Sequence, residues 1–242
     1  MRVIKLVLMT VISGLLIGQM AYSDSRNYAW TYQYDTLPAG LLELEMYFTT
    51  EVLKKDDLNN SNWRQWFEFE YGITDSTDIA LYQKFLQESR VVSSFKYDGF
   101  KVRLRHKVAK KDYLPVDFLF YLEYERSSDL TETDVIEWKE VFAKDIGKLN
   151  ISYNMIFEYQ PKSNWRYDHK YALGISYEVV DNLKIGVESN GSYSDKIYYL
   201  GTTISLLQSD FWINIGPQWG LNDNSNFLNI RVILGIPFQY SK

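Results

Sequence analysis

Charged residues at every second position are the part of this sequence with chemistry to offer. Glu43 and Glu45 alternate with Leu42, Leu44 and Met46; Glu68 and Glu70 with Phe67, Phe69 and Tyr71; Lys101, Arg103 and Arg105 with Phe100, Val102 and Leu104. Asp117, Glu123 and Glu125 recur in the same way beside Phe118, Leu122 and Tyr124, and Lys84 and Arg231 belong to two further segments of this kind. A period of two sends successive side chains to opposite faces of a strand, so each segment has one apolar face and one charged face. Counting back across the stretch 51–62 sets Glu45 beside Glu68 and Glu43 beside Glu70, like charges that destabilise a strand pair unless something neutralises them. Lys84 and Arg231 are the expected neutralising partners, Arg105 is expected to face Asp117, and Lys101 to lie near Glu123. The acidic sector Glu43, Glu45, Glu68 and Glu70 facing the basic sector Lys101, Arg103 and Arg105 would orient polar solutes and sort them by charge. The same residues would also serve as an ion-pair lattice filling a narrow interior, or the four glutamates as a divalent-cation site.

Enzymatic chemistry has less to build on. The chain holds two histidines, His106 and His169, neither beside a partner motif, and Gly174-Ile175-Ser176-Tyr177-Glu178 departs from the nucleophile-elbow pattern at its last position. It has no cysteine, which removes disulfides, thiol catalysis and thiolate metal sites. No cofactor is called for.

The elements that must position the charged faces are strands. Period two runs almost without break from Leu42 to Phe238, in about twelve segments of roughly ten residues, the length a tilted strand needs to cross a bilayer. The last of them shows the pattern plainly: Leu228, Ile230, Val232, Leu234, Ile236 and Phe238 make a greasy face, Asn229, Arg231 and Gly235 the other. Such a strand suits a wall between lipid and water, and it must pair with the first strand, because an open edge is not viable in hydrocarbon. An antiparallel up-and-down barrel of about twelve strands is therefore expected, with both termini on one side. Connections near 74–78, 145–148, 180–182 and 207–210 are short; those at 51–62, 87–93, 126–134, 160–168 and 220–226 are longer and polar, matching short periplasmic turns and longer outer loops. The stretch from Val108 to Pro115 is longer than that rule allows. Asp98-Gly99 falls where the alternation changes phase, as a bulge or a tight hairpin would require.

Composition agrees. Aromatic residues make up 17%, with 20 tyrosines, suited to rings at the two rims of a membrane band; a soluble β-sandwich is the rival for such content. Met1 to Ser23 has basic residues, an apolar run from Leu6 to Gly18 and the small residues Ala21 and Ser23, which read as a cleaved signal peptide. Removing it takes the formal charge from −5 to −7 by loss of Arg2 and Lys5, and an acidic chain argues against nucleic acid as a partner. Residues 24–40, with Tyr28, Trp30, Tyr32 and Tyr34, are expected as a periplasmic lead-in lying against the lower rim, and 41–242 as the barrel.

The segment Arg26-Asn27-Tyr28-Ala29-Trp30-Thr31-Tyr32, the run Leu37-Pro38-Ala39-Gly40 leading into Leu42-Glu43-Leu44-Glu45, and Tyr71-Gly72-Ile73-Thr74-Asp75 resemble uncharacterised Gram-negative outer-membrane barrels, including the phenol-degradation-pathway transporter-like family. The resemblance implies a barrel in the bacterial outer membrane and assigns no catalytic residue. The expected function is a narrow, porin-like channel for small polar or aromatic solutes, with outer-membrane lipid, the barrel-assembly machinery and a small solute as partners. The alternatives are a structural or adhesive barrel with a closed, ion-paired lumen and, more remotely, a lipid-acting enzyme. The lumen residues that would carry any such function are Glu43, Glu45, Glu68, Glu70, Lys84, Lys101, Arg103, Arg105, Glu123 and Arg231.

Overall fold

The computed structural model describes residues 25–88, 94–161 and 166–238, except for the Asn59 side chain. The expectations for the signal peptide and for Gln239 to Lys242, and parts of those for 87–93 and 160–168, fall outside these residues. Twelve strands follow one another: β1 Leu42–Lys54, β2 Asp57–Thr74, β3 Thr77–Gln87, β4 Lys96–Lys107, β5 Asp117–Ser127, β6 Val135–Ile146, β7 Leu149–Gln160, β8 Arg166–Val180, β9 Leu183–Ser192, β10 Ile197–Leu207, β11 Trp212–Gly220 and β12 Leu228–Phe238. Each pairs antiparallel with its neighbour in sequence, and β12 returns to β1 to close the ring. The closing ladder runs from Leu42 opposite Phe238 to Val52 opposite Leu228. A sandwich is thereby excluded, since no sheet edge remains among the described strands.

The distribution of side chains is inside out. Phe69, Leu81, Leu104, Leu122, Ile175, Val187, Leu200, Ile204 and Ile215 are exposed on the outer surface, whereas Glu43, Glu45, Glu68, Glu70 and Arg103 have essentially no exposure. A continuous exposed apolar belt far exceeds the patches tolerated on a soluble monomer, and it fits a wall solvated by lipid.

The two ends differ. At the rim that carries Leu42 and Phe238, called here the terminal rim, β2–β3, β6–β7 and β8–β9 are joined by tight turns, while 108–116 forms the one long connection. At the distal rim the expected loop over 51–62 is absent. There β1 and β2 continue to a hairpin at Lys55-Asp56, with Val52 opposite Ser61 and Lys54 opposite Asp57. Above the apolar belt both faces of a strand are wet, so alternation vanishes from the sequence while the ladder, already in register, continues. At Asp98 the chain makes a bulge: register shifts where Lys84 faces Gly99 and Phe85 faces Tyr97. Gly99 has φ +128°, and a Cβ there would lie 2.1 Å from the Arg126 carbonyl oxygen, so the bulge needs glycine.

Candidate functional site

The lumen is the interior that the described residues enclose, and two sets of residues fill it. The first belongs to the wall strands β1 to β5. Register places Glu43 opposite Glu70 and Glu45 opposite Glu68. On the far side of β2, Glu70 faces Ala80, and Ala80 faces Arg103. Because Ala80 is small, the long Arg103 side chain crosses over it to the acids. Its Nη1 lies 2.6 Å from Glu68 Oε1, and its Nη2 lies 2.7 Å from Glu70 Oε2 and 3.3 Å from Asp78 Oδ1. Arg103 Nη1 also donates to Tyr82 Oη at 2.9 Å. Arg105 faces Asp78 directly; its Nη2 pairs with Asp78 Oδ2 at 2.8 Å and contacts Glu70.

The expected pairings were partly different. Arg105 does not meet Asp117; the 108–116 connection displaces the register, so Arg105 faces Tyr121, and Asp117 accepts the Asp112 amide at 2.7 Å. Lys101 does lie near Glu123, at 2.8 Å, and reaches Glu125 at the same distance. Lys84 does not neutralise the glutamates of β1 and β2: it pairs with Glu125 and, at 3.3 Å, with Asp98. Arg231 does not either, because closure sets it opposite Thr49, three layers from Glu43 along the seam. The acidic and basic residues are therefore not sectors facing one another across a gap. They interdigitate within one stretch of wall. Asp78 was absent from the expected set, although Ile79 and Leu81 pointing outward already imply that Asp78 points in.

The second set is the chain before β1. Most of residues 25–40 do not lie against the rim: the segment enters the lumen, with Arg26, Tyr28, Ala29, Thr31 and Leu37 buried, and only its end, at Ala39 and Gly40, runs along the rim into β1. The aromatic residues favoured a rim position in the sequence, but polar partners inside the wall decide otherwise. Arg26 supplies the cation that Arg231 and Lys84 were expected to give: its Nε is 3.1 Å from Glu45 Oε2, and its Nη2 is 3.8 Å from Glu68 Oε2. Tyr47 Oη sits between the same two carboxylates, 2.6 Å from Glu68 and in contact with Glu45. Trp212 Nε1 donates to Glu43 at 2.5 Å. Burying a carboxylate costs several kcal/mol unless it is paired, so these contacts are a condition of folding.

On the opposite wall the Glu188 carboxylate accepts the backbone amides of Ala29, Trp30 and Thr31 at 2.8, 2.9 and 2.8 Å. Asn154 accepts the Tyr32 amide at 2.7 Å and donates to the Tyr32 carbonyl at 2.8 Å. Trp30 Nε1 donates to the Gly216 carbonyl at 3.0 Å. Glycines make room for the segment: a Cβ on Gly174 would lie 2.5 Å from the Tyr28 ring, and one on Gly216 would lie 2.3 Å from the Ala29 methyl. Between Ser25 and Thr36 no backbone-to-backbone hydrogen bond ties the segment to the wall among the described residues; the first such link is Gly40 N to Gly72 O at 2.8 Å. The segment is thus held by side chains, as a separable plug rather than a thirteenth strand. Outside the wall, the 108–116 connection is pinned across the rim. Lys111 meets Asp145 at 2.5 Å, and Tyr34 Oη donates to the Ala109 carbonyl. Partial burial pulls the Lys111 pKa down, but the hydrogen bond and charge of Asp145 carry it above the ordinary lysine value.

The two histidines are on the outer side of the wall. His106 Nδ1 lies 2.9 Å from Thr77 Oγ1 and is exposed, and His169 stacks on Phe157 with ring centroids 4.7 Å apart. Among the described residues neither ring contacts a serine hydroxyl or a carboxylate in the manner of a nucleophile and its base. Among the described residues no group of three or more His, Asp or Glu side chains is arranged to hold a metal ion.

No family model matches this chain, and no curated protein matches its sequence. Solved structures do match its fold. An outer membrane channel from Pseudomonas putida F1 superposes with a TM-score of 0.63 at 9% identity, covering 85% of this chain and 98% of that one. The KdgM porin, solved in complex with disordered oligogalacturonate, superposes with a TM-score of 0.57 at 10% identity, covering 81% of this chain and 99% of that one. At such identities the likeness is one of architecture: this chain is a closed, twelve-stranded barrel of the kind found in outer-membrane channels.

Proposed function

We propose that this protein is a porin-like channel of the bacterial outer membrane for small polar solutes, resting with the terminal half of its lumen occupied by residues 25–40. The observation that carries this reading is the plug's mode of attachment. A segment held in a polar lumen by side chains and one rim hinge can leave without breaking a strand ladder. The apolar outer belt supports the location, with export through residues 1–23 and insertion by the barrel-assembly machinery as parts of the same proposal. The sequence resemblance to the phenol-degradation transporter group extends the proposed solutes to small aromatics.

A second reading, a closed structural barrel, is favoured by one observation: Arg103 is fully buried, and its guanidinium is taken up by the wall carboxylates Glu68, Glu70 and Asp78. Planar-bilayer recording separates the two. The intact refolded chain should conduct little. A variant lacking residues 25–36, shown to be folded by its heat-dependent gel shift, should conduct steadily; if it folds and stays silent, the channel reading fails and the closed barrel stands.

A further inference from the structure

The inward cations of the ion-pair wall all reach a carboxylate. Arg26 has Glu45, Arg103 has Glu68 and Glu70, Arg105 has Asp78, Lys84 has Asp98 and Lys101 has Glu123. Arg231 does not. Its Nε donates to Thr49 Oγ1 at 3.1 Å and its Nη1 to the Ala29 carbonyl at 3.3 Å, both neutral acceptors, and it has no ion pair among the described residues. Nη2 has no hydrogen-bond partner there. The guanidinium lies over Trp30, its central carbon 3.8 Å from the ring centroid, with Trp66 at 5.5 Å. Stacking of this kind offsets part of the cost of an unpaired charge and leaves the in-plane N–H edge free. Arg231 is half-buried rather than enclosed, so lumen space adjoins it, and the plug residues Ala29 and Trp30 form the floor beneath.

We propose that Arg231 is an anion-binding residue of the lumen that takes the carboxylate of a small organic acid. A guanidinium edge with free donors matches a carboxylate in geometry as well as charge. An ionisable side chain at membrane depth without a protein partner is the kind of group that marks a solute path. Trp66 gives the bound acid a flat apolar wall: its ring lies between Arg231 and Lys101, whose Nζ is 4.8 Å from the centroid. This names a solute class for the channel proposed above and rests on that reading for its physiological sense, but binding at Arg231 is measurable without conduction. The competing role is that of a latch, with Arg231 simply holding Ala29 and Trp30 in place.

The test is titration of the refolded, heat-shift-verified full-length barrel with sodium propionate against sodium chloride at matched ionic strength, followed by tryptophan fluorescence and calorimetry. Wild type should bind propionate saturably at one site, Arg231→Gln should lose at least tenfold in affinity, and Arg231→Lys should retain part of it. Should Arg231→Gln not fold, Arg231→Lys decides: a reduced affinity supports the site and an affinity equal to wild type overturns it. Saturable binding by the full-length barrel, with the folded variant lacking residues 25–36 silent in the bilayer, supports the site and removes the channel reading. Conductance without saturable propionate binding, or equal binding by wild type and Arg231→Gln, overturns the site and leaves Arg231 a latch.

Discussion

The wall from β1 to β5 and the wall from β7 to β11 both face the lumen, yet they satisfy their buried polar groups in opposite ways. The first is dense with formal charge and compensates most of it within the wall: Glu68 and Glu70 are met by Arg103 from two strands away and Asp78 by Arg105 from the next strand, while Glu45 takes Arg26 of the guest segment. The second presents Ser152, Asn154, Ser176, Thr203, Asn214 and Gln218 with two buried carboxylates, Glu188 and, toward the distal rim, Asp168, and part of its hydrogen bonding goes to the backbone and side chains of residues 25–34. One side is a rigid strut made of wall; the other is a receptor for a guest segment. A charged group can be buried on either side because it is paired; on the second side, and at Glu45 on the first, where Arg26 is the cation, the pairing depends on a segment that is able to leave.

The largest way to break this contrast is Arg103→Ala. It strands Glu68 and Glu70 in a dry interior, where losing one member of a buried ion pair costs about 3–5 kcal/mol; the variant should refold poorly and lose its heat-dependent gel shift. Retention of a normal shift and a normal urea midpoint would mean that the strut is not structural. A smaller and differently placed effect is expected from Glu188→Leu. Three backbone amides lose their acceptor, and hydrogen bonds to a charged group are worth about 1.5–3 kcal/mol each, not additively. The barrel should still shift on heating while residues 25–34 become cleavable by protease and single-channel current rises. If the plug remains protected, Asn154 and the glycine notches hold it without Glu188. The smallest change should come from Arg64→Gln. The Arg64–Glu51 pair, 2.8 Å apart, has side chains 30% and 19% exposed, and a pair this open to solvent contributes at most about 1 kcal/mol. Denaturation midpoints should barely move, and a large loss would show that the self-compensating wall extends to the distal mouth.

Much of the wall was legible from residues alone. Alternation along Glu43–Tyr47, Trp66–Glu70 and Lys101–Arg105 assigned their inward faces correctly, since side-chain direction in a strand is a local property of the backbone. Register across a regular hairpin was also countable, hence Glu45 beside Glu68. It failed at Arg105, where the irregular 108–116 connection hides how many residues the ladder skips, and it left Asp98-Gly99 undecided because a bulge and a hairpin begin with the same local signal.

What the sequence determined by itself is therefore the material of the barrel: strand number, the apolar belt and which charges turn inward, all set by a period of two that each strand carries independently. What only the tertiary structure decided is which charges meet and where residues 25–40 go. Arg103 reaches Glu68 and Glu70 because Ala80 on the intervening strand is small, a fact of three-strand geometry. Arg26, Tyr28 and Trp30 enter the lumen because Glu45, Glu188, Gly174 and Gly216, drawn from four strands far apart in the chain, are brought together only when the ring closes. No periodicity records that convergence, since it exists only between strands.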